Sequence, residues 1–277
     1  MQLNRSLSVL IASIVASHAV PAQDYDVRPL THCNSPRAEY APTYDVLTSS
    51  IIFTSEVSGT AAIYRMRVDE SSGMERVAGT FNDPRHHRGY VTLDTAGNGL
   101  GVAYFMYDDQ AYAGLTTITR YGNDINRGTP IDAVNGPMYV SQPAIAPDGS
   151  RMAFVSTRDG GRGGMDVWVC DRRDDFTWSE PVNLGRSINS DRDDISPCFA
   201  SADTLVFASN GFGGKGGFDI MMTVLRDGVW QEPLPIDGIN SEYDDSDCAI
   251  LRDGSYIFAS TRPGGRGGYD LWIARPK

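Results

Sequence analysis

Short apolar stretches alternate with polar turn residues along the chain, and no segment has the 3.6-residue period of an amphipathic helix. An aromatic residue marks the middle of one such stretch roughly every 50 residues. The members of this series are Phe53, Tyr104, Phe154, Phe207 and Phe258. A repeat of this length predicts one supersecondary unit that is used five times.

A second series recurs with the same period and is independent of the first. It consists of Asn34, Asn82, Asn135, Asn189 and Asn240. Because two unrelated residue types give the same count, we prefer five units to six.

The fourth unit indicates how each repeat is built. Residues 195–200 and 205–209 are β-favouring runs joined by a Ser-Ala-Asp turn, and a glycine-rich loop separates them from the run at 218–224. An Asp-Gly turn then leads into 229–231. Four short antiparallel strands per unit, arranged radially, predict an all-β, five-bladed β-propeller.

The two ends of the chain complement each other. The last unit contains three strands, whereas residues 25–30 (YDVRPL) form a spare β-like segment. This segment occupies the place in the period that 178–181 and 230–233 occupy in later units. We therefore expect an N-terminal strand to close the last blade, within a single propeller domain at 23–277.

A long motif is shared by the third and fifth units. Residues 148–169 read DGSRMAFVSTRDGGRGGMDVWV, residues 253–273 read DGSYIFASTRPGGRGGYDLWI, and 203–221 is a looser copy. This motif resembles the WD-like β-propeller repeat of bacterial envelope proteins, which is related to TolB propellers. The resemblance implies a propeller with a binding role in the cell envelope. It covers units three to five, while residues 36–135 match by spacing alone.

The first 22 residues predict a cleaved secretory signal peptide. Arg5 precedes an apolar run at 7–20, and small residues flank Pro21 just before the expected cleavage point. We expect a periplasmic or secreted protein with no membrane span. The formal net charge of −11 disfavours nucleic acid and anionic membranes as partners.

Four cysteines are present, and an exported chain is exposed to oxidation. Cys198 and Cys248 fall one position apart in neighbouring units, which makes them the possible disulfide. Buried unpaired thiols are the alternative.

Glycine-rich loops follow the second strand in units three to five. The loop at 211–217 contains a G-x-G-x-x-G pattern, but a strand follows it where a nucleotide site needs a helix. Turn geometry explains the glycines without a ligand. Asp166, Asp219 and Asp270 each follow one loop, and we expect them to accept hydrogen bonds from its backbone.

Charged residues supply the predicted binding surface. In a four-strand meander, the connector into the first strand and the loop between strands two and three lie on the same face. Acidic connectors should therefore meet loop arginines around the channel. The candidate binding residues are Arg158, Arg162, Arg262, Arg266, Asp193, Asp194, Asp244 and Asp245. Salt bridges between blades are the alternative use of these side chains.

The leading interpretation is a monomeric, non-enzymatic binding protein whose partner is a protein, peptide or glycan. The alternative is an arabinanase-like glycoside hydrolase with paired carboxylates at the channel mouth. Its candidate catalytic residues are Glu39, Asp193, Asp194, Asp244 and Asp245. The channel-lining runs look poor in the aromatic residues that stack on sugars, which disfavours the hydrolase.

No cofactor is expected, although Ca²⁺ held by the same acids is a third possibility, with a structural role. His32, His86 and His87 lack the spacing of a zinc site, and no cysteine joins them. No G-x-S-x-G elbow is present, so a serine hydrolase is not predicted.

Overall fold

The computed structural model describes residues 23–83, 87–174 and 177–277. The predicted signal peptide and His86 lie outside these residues. Apart from the 3-10 helices Thr80–Asn82 and Gly185–Ser187, the regular structure of the described chain is β-strand. In the described ranges, no helix is both long and apolar enough to span a bilayer.

The strands, numbered in chain order, form five sheets around a central channel. The innermost strands are β2 (Glu39–Asp45), β6 (Gly89–Leu93), β10 (Val140–Ile145), β14 (Asp194–Ser201) and β19 (Asp245–Ile250). The second strands are β3 (Ser50–Ser55), β7 (Gly99–Tyr107), β11 (Arg151–Ser156), β15 (Thr204–Ser209) and β20 (Tyr256–Ser260). The third strands are β4 (Ala62–Arg67), β8 (Gln110–Tyr121), β12 (Asp166–Asp171), β16 (Asp219–Arg226) and β21 (Asp270–Pro276). The outer strands are β5 (Glu75–Arg76), β9 (Asp124–Pro130), β13 (Val182–Asn183), β17 (Val229–Trp230) with β18 (Leu234–Pro235), and β1 (Tyr25–Pro29).

Each sheet is an antiparallel blade, so the predicted five-bladed β-propeller is confirmed. The fifth blade is completed by β1, which pairs with β21 from Tyr25 opposite Pro276 to Pro29 opposite Trp272. This pairing covers the edge that β21 would otherwise expose. The predicted closure by the N-terminal strand is therefore also confirmed.

The asparagine series fastens each blade to the next. Each asparagine lies on the connector into a blade and clamps the third strand of the preceding blade. Asn189 Oδ1 accepts a hydrogen bond from the Val167 N–H (2.8 Å), and its Nδ2 donates to the Val167 carbonyl (2.9 Å). The same two bonds join Asn34 with Leu271, Asn82 with Ile63, Asn135 with Leu115, and Asn240 with Ile220.

Hydrophobic side chains fill the spaces between neighbouring blades in five clusters. The phenylalanines of the sequence repeat occupy corresponding positions in the second strands. They are Phe53, Phe154, Phe207 and Phe258, each at most 1% exposed. Burying one such ring contributes roughly 2–3 kcal/mol, so these positions are a main source of stability.

Tyr104 does not belong to the phenylalanine series, which corrects the sequence prediction for the second blade. The strand register makes Gly101 the residue that corresponds to Phe154. A Cβ on Gly101 would lie 2.4 Å from the ring of Phe81. Phe81 comes from the preceding connector, is fully buried, and fills the core in place of a strand residue. Tyr104 is free to lie on the surface, where it is 50% exposed.

In each glycine-rich loop, backbone N–H groups donate hydrogen bonds to the aspartate that follows the loop, as expected. Asp270 accepts from the N–H groups of Arg266 (2.8 Å) and Gly267 (2.9 Å). Asp166 and Asp219 make corresponding bonds within their loops.

Close approach to the next connector accounts for other glycines in these loops. A Cβ on Gly163 would lie 1.6 Å from the Arg192 carbonyl oxygen, and one on Gly267 would lie equally close to the Arg37 carbonyl oxygen. Only glycine fits at these positions. The loops therefore act as spacers between the blades.

Candidate functional site

A β-bulge occurs at the same place in the innermost strand of every blade. The bulged residues have φ between 48° and 53° although none is glycine. They are Ala41, Tyr90, Gln142, Ser196 and Asp247. Such a conformation costs on the order of 1–3 kcal/mol outside glycine, and bulges re-aim side chains near functional sites. We call these five residues the belt.

Hydrogen bonds link the belt from blade to blade. Gln142 Nε2 donates to the Tyr90 hydroxyl (3.3 Å), and the Ser196 N–H donates to Gln142 Oε1 (2.8 Å). The Ser196 hydroxyl donates to Asp247 Oδ1 (2.5 Å), and the Ala41 N–H donates to the same carboxylate. Because the five residues come from five blades, the belt runs around the channel.

Tyrosine rings lie beside the belt on the side where the innermost strands begin, and one of them, Tyr90, belongs to the belt. The rings of Tyr40 and Tyr90 are 5.6 Å apart between centroids. Tyr139 and Tyr269 each hydrogen-bond to the serine that precedes a belt residue. Tyr104 lies close enough for its charge to raise the pKa of Tyr40 and Tyr139. We call these five residues the mouth tyrosines and the space that they surround the mouth.

Asp247 is the carboxylate of the belt and is 9% exposed. Burial raises its pKa from 3.8 to about 6, although hydrogen bonds from Ser196, the Ala41 N–H and Ser246 oppose the rise. Among the described residues, no basic side chain forms an ion pair with it. Its negative charge is therefore held in a poorly solvated place without a cation beside it.

Four of the mouth phenols are protonated at neutral pH. Burial raises the pKa of Tyr40, Tyr90, Tyr139 and Tyr269, the last to about 12, and the charge of Asp247 adds to the rise. Their hydroxyls can donate hydrogen bonds, and their rings offer aromatic faces.

The second blade places a long β-hairpin beside the mouth. Pairing of β7 with β8 continues to Tyr107 opposite Gln110, beyond the point where the other blades turn. The turn residues Asp108 and Asp109 both have positive φ, as a two-residue hairpin turn requires. Near its tip Met106 is 65% exposed. This blade therefore offers apolar surface where the third, fourth and fifth blades carry glycine-rich loops.

The predicted arginines lie in the glycine-rich loops and make contacts within the chain. Arg158 lies over the rings of Phe154 (4.9 Å) and Trp168 (5.3 Å) and donates to the Val134 carbonyl (2.6 Å). Arg262 makes the equivalent ring contacts with Phe258 and Trp272 and an equivalent bond to the Ile239 carbonyl.

The second pair of predicted arginines reaches the neighbouring connectors. Arg162 pairs with Asp191 (2.5 Å) on the connector into the fourth blade. Arg266 donates to the Asn34 carbonyl (3.1 Å) on the connector into the first blade. Both therefore stabilise contacts between a loop and a connector.

Three of the predicted acids are fully buried and tie down their own connectors. Glu39, Asp194 and Asp245 each accept bonds from the backbone and hydroxyl of the serine four positions earlier. Asp245 also pairs with Arg262 (2.5 Å). Burial raises the pKa of Asp194 to about 6.

The remaining predicted acids bridge connector and loop. Asp193 Oδ1 accepts from the Met165 N–H (2.9 Å), and Asp244 Oδ1 accepts from the Phe218 N–H (3.0 Å). The structure thus brings the predicted acids and arginines together on one face, but none of them belongs to the belt.

All four cysteines are free thiols. Cys198 and Cys248 pack in the cluster between the fourth and fifth blades, as their spacing indicated, but the predicted disulfide is not formed. Within the described residues, no group of three or more His, Cys, Asp or Glu side chains could hold a metal ion.

The sequence interpretation missed the belt and the mouth tyrosines. The expectation that the channel-lining strands are poor in aromatic residues is wrong, since Tyr40 and Tyr90 lie on β2 and β6. A signal was present in the repeat. The position two residues after Glu39, Asp194 and Asp245 carries a different residue type in every blade.

No protein-family model matches the chain, and a search of curated proteins found no match. Solved structures do resemble it. An α-L-arabinofuranosidase from Lactobacillus brevis has 11% sequence identity and a TM-score of 0.58, with 90% of this chain and 92% of that chain covered. A gluconolactonase from Xanthomonas campestris has 13% identity and a TM-score of 0.51, with 95% and 94% covered.

A TolB protein from Agrobacterium tumefaciens has 15% identity and a TM-score of 0.50, with 82% of this chain and 71% of that chain covered. Identities this low establish shared architecture alone. The neighbours thus support the TolB-like propeller fold that the repeat motif indicated, while the WD-like repeat assignment stays a prediction. The chain has the fold of TolB-like and glycosidase-like propellers.

Proposed function

We propose that the chain is an exported, non-enzymatic propeller that binds a peptide segment of a protein partner at the mouth, in the periplasm or outside the cell. The observation that carries this proposal is the set of five tyrosines around the hydrogen-bonded belt. Tyrosine is enriched at protein interfaces because its ring gives a large contact area and its hydroxyl a hydrogen bond.

The exposed hairpin of the second blade supports a peptide ligand. It presents Tyr104 and Met106 to solvent beside the mouth, at 50% and 65% exposure. A segment that enters the mouth can pack against this hairpin as it leaves. A glycan is the alternative ligand, because tyrosine rings also stack on sugars.

A glycoside hydrolase has less support from the geometry. It requires two carboxyl groups roughly 5–10 Å apart at the scissile bond. Asp247 carries the only carboxyl group of the belt. The predicted acids Glu39, Asp194 and Asp245 are fully buried where the connectors enter the innermost strands. Such acids bind their own chain and lack access to a sugar ring.

A thermal-shift screen against peptides, oligosaccharides and Ca²⁺, with arabinosidase assays alongside, tests the proposal. We expect a peptide to raise the melting temperature of the wild type without turnover. Tyr104→Ala should lose this shift, because it removes a ring from the mouth.

Tyr121→Ala is the matched control, since Tyr121 lies on β8, the neighbouring strand of the same blade, and is 83% exposed. It should keep the full shift. Sugar release that Asp247→Asn abolishes would replace the proposal with the hydrolase. Stabilisation by oligosaccharides alone would replace the peptide with a glycan, and stabilisation by Ca²⁺ alone would assign the acids to a structural site.

A further inference from the structure

The mouth combines a buried negative charge with aromatic faces. Asp247 is 9% exposed, and its hydrogen-bond donors are neutral: Ser196, Ser246 and the Ala41 N–H. Four of the mouth tyrosines, Tyr40, Tyr90, Tyr139 and Tyr269, interact with its charge and are protonated at neutral pH. A carboxylate beside tyrosine rings favours a cation, because the ring faces are electron-rich and the carboxylate supplies the opposite charge.

The same combination occurs elsewhere in the chain with an internal arginine in place. Arg262 lies over Phe258 (4.9 Å) and Trp272 (5.3 Å) and pairs with the buried Asp245. There, the protein places one of its own guanidinium groups in an aromatic pocket that contains a buried aspartate.

The described chain supplies no equivalent cation to Asp247. Arg88 lies close enough to Tyr104 for the phenol to affect its pKa, and it donates to the carbonyls of Phe81 (3.1 Å) and His87 (2.8 Å). No ion pair joins it to Asp247 within the described residues. A cation for this site must come from a ligand.

We infer that the mouth recognises a cationic side chain of the peptide partner, a lysine ammonium or an arginine guanidinium, with Asp247 as its counter-ion and the mouth tyrosines around it. This inference rests on the proposed function, because it names the group that the peptide inserts. The acidic net charge of −11 also favours the approach of a basic segment.

Binding of short capped peptides tests the inference. The probes are the N-acetylated, C-amidated pentapeptides GGKGG, GGRGG and GGQGG, measured by isothermal titration at neutral pH. We expect the lysine or arginine peptide to bind at least about tenfold more tightly than the glutamine peptide. Butylammonium, measured in parallel, shows whether a free amine suffices without the peptide backbone.

Asp247→Asn removes the counter-ion and keeps an acceptor for Ser196, and it should weaken binding of the basic peptide by about tenfold or more. Asp227→Asn is the matched control. It removes one negative charge at an exposed turn whose φ of 50° asparagine tolerates. This control should bind as the wild type does.

Equal affinity for the glutamine and basic peptides, with loss in Tyr104→Ala, would overturn the inference and leave the proposed function standing. Unchanged binding in Asp247→Asn would also overturn the inference. Absence of saturable binding for every pentapeptide would overturn it too, while the wider screen would still decide the proposed function. Binding of butylammonium as tight as the lysine peptide would overturn the peptide as the source of the cation.

Discussion

In both blade two and blade three, the connection between the second and third strands lies on the same face of the ring. The two connections differ in their side chains and in their exposure. In the third blade, residues 157–165 form a glycine-rich loop. Backbone N–H groups of this loop donate to Asp166 and to Asp193 on the next connector, and Arg158 of the loop lies over the ring of Trp168. In the second blade, strands β7 and β8 continue as a hairpin that leaves Tyr104 and Met106 exposed. The difference teaches that the repeated loop residues maintain the ring, whereas the hairpin found in one blade alone leaves side chains exposed to solvent.

The belt shows the same division on a smaller scale. Its backbone is repeated in all five blades, with φ near 50° in each, but its side chains differ from blade to blade. The asparagine clamps are the reverse case, since both residue type and bonds are repeated five times. Repetition of conformation without repetition of residue type therefore marks the candidate site.

The largest expected effect comes from breaking a clamp. Asn189→Ala leaves the buried Val167 N–H without its partner and also removes the Nδ2 bonds to the Val167 carbonyl and to Asn183 Oδ1, so we expect a loss of about 3–5 kcal/mol in the free energy of unfolding. Urea unfolding measures this loss. Asn123→Ala, at an exposed turn, should change stability by less than about 0.5 kcal/mol. Equal effects of the two substitutions would contradict the role of the clamp.

A smaller loss is expected from filling a loop glycine. Gly163→Ala puts a Cβ 1.6 Å from the Arg192 carbonyl oxygen, so the loop must move away from the connector. We expect a cost of about 3 kcal/mol in thermal or urea unfolding. Gly73→Ala is the control, because a Cβ there meets no atom within 4 Å. A tolerated Gly163→Ala would mean that the loops do not act as spacers.

The pH dependence of stability tests the buried acids of both regions. Burial raises the folded-state pKa of Asp194 and Asp247 from 3.8 to about 6. Between these values the folded state binds more protons than the unfolded state, so stability falls as pH rises and stays lower above the window. We expect a loss on the order of a few kcal/mol between pH 4 and pH 7, measured by urea unfolding. A profile that rises across this window would contradict the raised pKa values.

The other shifted carboxyl groups do not obscure this window. The pKa values of Asp45, Asp69 and Asp148 are lowered below 3.8, so their contribution to stability is lost only as the pH falls below that value. Loss of stability above pH 4 therefore reports on the buried acids.

The five-bladed ring could be predicted from the sequence because the same residue type makes the same contact in each blade. The clamps at Asn189 and its equivalents, and the core position of Phe154, are visible as periodic series. Tyr104 was misplaced because the second blade fills that core position with Phe81 from the connector, and strand register cannot be read from residue spacing. Asp247 and the other belt residues escaped prediction because they differ among the blades and a bulge sets their direction.

The unfolding free energy of Asp247→Asn at pH 8 tests most directly the claim that the belt serves a ligand rather than the ring. Replacing the buried, ionised carboxylate by a neutral amide that can still accept from Ser196 should raise stability by at most about 3 kcal/mol at pH 8. At pH 4 the difference should be close to zero, because the folded wild type is then protonated. A variant less stable than the wild type at pH 8 would show that Asp247 holds the blades together, which contradicts the claim.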